Sequence, residues 1–135
     1  MSFYKVFDVA GSALNAQQVR MNVTASNLAN AGSVNGDESE VYRAKQPQFE
    51  TFRDSMNASL AGVRVTGVSE SNAPLSTRYE PNHPSANADG NVFVSNVNTV
   101  EEMVNMISAS RSYQNNVEIV NTTKDLLLQT LSMGR

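Results

Sequence analysis

The one histidine, His83, stands between Pro81 and Pro84. A general base needs a nucleophile and an oxyanion-stabilising group beside it. No such partner motif accompanies His83, and a histidine held between two prolines reads as a turn residue at the surface. Asp37, Glu38 and Glu40 form an acidic cluster. Their spacing is not that of a calcium loop, so a solvated loop is the reading. Gly62, Gly67 and Gly90 do not make a phosphate-cradling pattern. Arg43 and Lys45 are isolated positive charges. With 10 Lys+Arg against 13 Asp+Glu and a net charge of −3, no basic patch for nucleic acid is expected. The chain has no cysteine, which excludes disulfides, thiol catalysis, iron–sulfur clusters and cysteine-based zinc sites. The residues therefore offer no catalytic, cofactor-binding or metal site, and the chain is not expected to be an enzyme.

The elements that carry these residues point to a different kind of function. In the first segment, Phe3, Phe7, Ala10, Leu14, Gln17, Met21, Thr24 and Leu28 recur at heptad spacing. This predicts one amphipathic helix from about Phe3 to Ala31, stopped by Gly32. At 1.5 Å per residue it would be about 40 Å long. The last segment opens with Thr99 as a cap and Glu102 three residues later, a capping-box pattern. One seam follows through Met103, Met106, Ser110, Tyr113, Val117, Val120, Lys124, Leu127 and Leu131. A second, Val100, Val104 and Ile107, fades at Arg111 and Gln114. The predicted helix is about 50 Å long and ends at Gly134 and Arg135.

Two such helices cannot bury all of their apolar stripes on each other. The seam residues Phe7, Leu14, Met21, Leu28, Val100, Met103, Ile107, Tyr113, Val117, Leu127 and Leu131 are therefore expected to pack between subunits. The chain also holds 16 asparagines, many inside the helical patterns, where Asn is a poor helix former. Asn27, Asn30, Asn105, Arg111 and Gln114 are the polar residues expected to bond across subunits.

The middle is different in character. Pro74, Pro81 and Pro84 and the turn pairs Asn35-Gly36 and Asp89-Gly90 punctuate it. Gly62 to Val68 and Asn91 to Val97 read as short strands, with Leu75 to Glu80 a weaker third and Gly67 marking a bulge. Residues 50–61 are ambiguous, because Phe49, Phe52, Met56 and Leu60 stand at helical spacing. The predicted fold is mainly α with a small β region: long terminal helices packed as a coiled-coil-like pair, with short strands between. Residues 1–31 and 96–135 form the helical domain and residues 32–95 the β-containing one. No apolar run approaches the ~18 residues of a membrane helix, and no secretory signal is visible.

Two stretches resemble a known family. GSALNAQQVRMNVTASNLANAGSV (Gly11 to Val34), with YRAKQPQF (Tyr42 to Phe49), is similar to the N-terminal signature of the flagellar rod and hook axial proteins. NVNTVEEMVNMISASRSYQNNVEIVNTTKDLLLQTL (Asn96 to Leu131) is similar to their C-terminal motif. FDVAGSAL (Phe7 to Leu14) and YEPNHPSANADGNVFVSNVN (Tyr79 to Asn98) look like the proximal-rod branch. The resemblance implies a structural subunit of the bacterial flagellar basal body that self-associates in a helical tubular lattice. That lattice would transmit motor torque to the hook and surround the export channel. It implies as partners other copies of the chain, other rod proteins, and components of the basal-body rings and near the export gate. It also implies a location spanning the periplasm, reached by flagellar type III export without a cleaved signal. Another rod subunit of the same family, or a soluble helical binding or chaperone module, are the alternatives.

Overall fold

The computed structural model describes residues 3–54 and 57–134. Helix α1 spans Phe3–Asn30 and helix α2 spans Thr99–Met133. Ser95 N–H donates to the Ser33 carbonyl, and Arg20 on α1 reaches Asn105 on α2. The end of α1 therefore lies beside the start of α2, and the two helices run antiparallel. Between them come strands β1 (Val34–Asn35), β2 (Lys45–Asp54), β3 (Asn57–Glu70), β4 (Ser76–Tyr79) and β5 (Asn91–Val94). Strands β1, β5 and β4 form an antiparallel sheet in that order, and β2 and β3 form a separate long hairpin. The fold is the one expected, two long terminal helices with a small β region between them.

Local chemistry explains the element boundaries, with two corrections. The cap of α2 is Asn98 rather than Thr99. Asn98 is extended, and its side-chain oxygen accepts from the N–H groups of Val100 and Glu101 at 3.1 and 3.4 Å. An amide one residue earlier takes two of the free donors of the first turn. Second, the helical spacing of Phe49 and Phe52 does not make a helix. Both lie on β2, paired with Val65 and Gly62 across the hairpin; Met56 lies outside the described residues. A short 3₁₀ turn, Glu38–Glu40, is capped by Asp37. The bulge expected at Gly67 is present: Gln48 pairs with Gly67 and Phe49 with Val65, so Thr66 is the extra residue.

The described core is small. Ala10, Ala16, Val41, Val92 and Ala109 are its buried apolar residues, and Thr24, Asn27, Ser95 and Thr123 its buried polar ones. On α2 the buried and half-buried side chains include Met106, Ala109, Tyr113, Asn116, Val120, Thr123 and Leu127, a heptad column. The sequence seam placed Ser110, Val117 and Lys124 where Ala109, Asn116 and Thr123 are found in this column. Small or self-satisfied residues fit the close helix approach better. Asn116 donates to the Ser112 carbonyl at 2.8 Å, and Thr123 to the Ile119 carbonyl at 2.7 Å. These two side chains are thus paired within their own helix, and their burial carries little penalty.

Candidate functional site: an outward helical face and an amide-pinned junction

The apolar residues that α1 does not cover lie on the other side of α2. Val100, Met103, Val104 and Ile107 are between 55 and 69 % exposed, and they occupy the first turns of the helix. Val104, Ile107, Ser108, Arg111 and Ser112 line a shallow groove along this face. At the far end, Thr123 is the last buried residue of α2, and Leu128 to Gly134 are all exposed. Helix α2 has 35 residues against 28 in α1. The difference of seven residues corresponds to about 10 Å.

The seam residues named from sequence divide into two groups. Phe7, Leu14, Met21, Leu28, Tyr113 and Leu127 are half-buried, whereas Val100, Met103, Ile107, Val117 and Leu131 are exposed. Patches of this kind on a small protein mark contact surfaces. Arg111 and Gln114 also face solvent beside them.

The asparagines are used inside the chain. Asn27 is fully buried. Its amide nitrogen donates to the Lys45 carbonyl, and its oxygen accepts from Lys45 N–H, both at 2.9 Å. The Tyr42 hydroxyl donates to that same oxygen at 2.9 Å and lies 3.1 Å from Ser26 Oγ. Asn27 thus pairs with Lys45 as a neighbouring strand would, on the edge of β2 that faces away from β3. Asn30 bonds back to the Ser26 carbonyl, and Asn105 accepts from Arg20 across the helix pair.

A second amide, Asn96, was not singled out from sequence. Its oxygen accepts from Ala44 N–H at 2.8 Å, and its nitrogen donates to the Ala73 carbonyl at 3.0 Å. Arg43 donates to the same Ala73 carbonyl at 3.2 Å and to Glu38 at 3.2 Å. Ser71 N–H closes the junction on the Ala44 carbonyl at 2.7 Å. Consecutive backbone groups of Ala44 and Lys45 are therefore met from both terminal segments. Each of the two separated motifs carries several asparagines, and nothing local marks Asn27 or Asn96 among them or connects Asn96 to Ala44.

The other residues weighed for chemistry have structural roles. His83 is half-buried in its turn, and its Nδ1 accepts from Ser85 N–H at 3.1 Å. Asp37 accepts from both the hydroxyl and the N–H of Ser39, which holds its carboxyl below the ordinary carboxylate value. Among the described residues, no His, Asp and Glu cluster could hold a metal ion, and no helix is long and apolar enough to cross a membrane.

Comparison with known proteins gives the arrangement its context. Residues 7–36 match the family model for flagella basal body rod proteins. Residues 88–133 match the C-terminal model of the flagellar basal body rod FlgEFG proteins. The chain is 52 % identical to the flagellar basal-body rod protein FlgC of Escherichia coli O6:H1, over 100 % of both chains. It is 51 % identical to that of Salmonella typhimurium, again over 100 % of both. To FlgC of Buchnera aphidicola from Acyrthosiphon pisum it is 40 % identical over 99 % of each. A structural subunit with an uncovered helical face, two helices that meet at a pinned junction, and this full-length identity belongs to the FlgC family of flagellar basal-body rod proteins.

Proposed function

We propose that the chain builds its part of the proximal rod through the outward face of α2, packed as a coiled-coil-like contact against the helices of neighbouring copies and of other rod proteins. The carrying observation is the exposed set Val100, Met103, Val104 and Ile107, which the chain's own α1 leaves uncovered. Val117 and Leu131 extend this contact along α2. The half-buried seam residues hold the helix pair and complete its edges. Arg111 and Gln114 supply polar bonds to neighbours, while Asn27 has its amide committed inside the subunit. A heterologous contact whose rotation does not close generates an open helical array. Two unlike apolar patches, at the start and at the far end of α2, favour such a contact.

On this reading residues 1–31 and 96–135 form the tube around the export channel, and residues 32–95 form the outer domain. The assembled tube carries torque from the motor to the hook and spans the periplasm between ring and export-gate components. The subunit reaches it by flagellar type III export without a cleaved signal. The deciding experiment removes residues 128–135 and counts basal bodies and motile cells. The expected result is an exported, soluble subunit and no completed rods. Normal rods from the shortened chain would refute the contact at the far end of α2, and normal rods from a chain with a charge placed at Val104 would refute it at the start.

A further inference from the structure

The hairpin and the three-stranded sheet reach the helical pair by separate routes. The sheet continues from the helices directly: β1 follows α1 after a short turn, β5 precedes α2, and Ser95 bonds to Ser33 beside them. The hairpin instead lies along α1, where Val63 N–H donates to Ser12 Oγ and Asn27 pairs with Lys45. The strands of the two sheets do not pack broadly on each other. They are tied where three connecting segments converge, and two side chains bridge those segments.

Arg43, on the segment between β1 and β2, donates to Ser71 and Ala73 carbonyls on the segment between β3 and β4. Its other nitrogen reaches Glu38 in the 3₁₀ turn. Asn96, on the segment between β5 and α2, donates to the same two carbonyls and accepts from Ala44. Residues 71–75 have no regular structure of their own, so these bonds supply the order that a strand or helix would otherwise give.

We propose that Arg43 and Asn96 form an orientation lock that fixes the β2–β3 hairpin at a set angle to the three-stranded sheet. The guanidinium suits this place because its planar fork reaches several acceptors at once, which a lysine ammonium on one flexible stem does not reproduce. The amide suits its place because it offers donor and acceptor together to two different segments. The lock rests on and deepens the reading of the chain as a rod subunit that carries torque, because a subunit whose two sheets swivelled would absorb it.

The absence of cysteine makes a direct measurement available. Thr66 on the hairpin and Thr77 on β4 are both exposed, and Thr66→Cys with Thr77→Cys gives two unique positions for spin labels. The full-length labelled subunit is expected to give one narrow distance distribution by pulsed electron resonance. Arg43→Ala and Asn96→Ala together should broaden it about twofold or more, while the far-ultraviolet helix signal stays unchanged. Arg43→Lys alone should give an intermediate width. A distribution that stays narrow in the double variant overturns the lock. Helix loss in both the double variant and Arg43→Lys also overturns it, because the residues would then support the fold rather than an angle. These distances are read on the isolated subunit, so failed rod assembly with an intact lock would count only against the packing face.

Discussion

The helical pair and the junction use opposite means of holding together. Helix α2 carries much apolar surface and turns a large part of it to solvent, at Val100, Met103, Val104 and Ile107. The junction buries little carbon but pairs its backbone groups closely, with Asn27, Asn96 and Arg43 as partners. Hydrophobic attraction is non-directional and is satisfied by any apolar neighbour. Hydrogen bonds demand a geometry, and a buried one left unmade costs more than a made one contributes. The subunit therefore commits the junction's specific bonds internally and leaves most of its apolar surface on α2 for the outside. The two regions should respond differently to the same class of substitution.

The largest effect is expected from a charge on the outer face. Ile107→Arg should abolish rod assembly, since burying an unpaired charge in a subunit contact costs several kcal/mol at each copy. Thermal unfolding of the isolated subunit should stay within about 0.5 kcal/mol of the parent, because the position is already exposed. Calorimetry and a basal-body count separate the two readouts. A destabilised monomer would break the comparison.

Asn27→Ala should have the reverse signature. It orphans the N–H and C=O of Lys45, at about 1–3 kcal/mol for each group left unpaired, and leaves the Tyr42 hydroxyl only Ser26 Oγ as a partner. A loss of about 3 kcal/mol in denaturant unfolding is the expected outcome, and assembly should fail only as far as folding does. Wild-type stability would mean that water replaces the amide at no cost, and the junction would lose its place in the contrast.

A smaller effect tests the hairpin's seat on α1. A Cβ on Gly62 would lie 2.7 Å from the Phe52 ring and 3.1 Å from Ser12 Oγ. Phe52 is partly exposed and its ring can swing out, so Gly62→Ala should cost about 1 kcal/mol, at the low end of overpacking. Phe52→Leu in the same chain should restore most of it, as measured by thermal melting.

The smallest effect belongs to Asp37. Ser39 stabilises its ionised form, so the folded carboxyl titrates below the ordinary value of 3.8. The contribution is complete above that value and disappears as pH falls through the lower folded one. Asp37→Asn should remove this small contribution at neutral pH and with it the acid-limb dependence, visible in the chemical shifts of Ser39.

Both helices were legible because their periodicity extends over many turns. The bulge was legible from Gly67. The face of α2 that meets α1 was less so, since Ala109, Asn116 and Thr123 do not announce themselves as core while Met103 and Val117 do. Hydrophobicity marks what must be covered somewhere, and in an assembling chain that cover is not always internal. Strand β2 was missed because Phe49 and Phe52 mimic a helical step, and the pairing that decides the matter lies across the hairpin at Val65 and Gly62. The junction was least legible. Asn27 with Lys45, and Asn96 with Ala44, are long-range pairings whose chemistry exists only after the chain has turned back on itself.

The span of those pairings also orders folding in time. Hairpin β2–β3 closes locally, and Ser71 can then meet Ala44 across a strand pair already formed. Asn96 must return to a residue 52 positions earlier, yet the hairpin has by then shortened the effective loop and its entropic cost. Helix α2 is therefore expected to dock last, templated on an existing surface. Pulse-labelled hydrogen exchange should show Ser71 protected before Ala44 N–H, whose acceptor is Asn96. Simultaneous protection of both amides would point instead to a single concerted nucleus containing both ends of the chain.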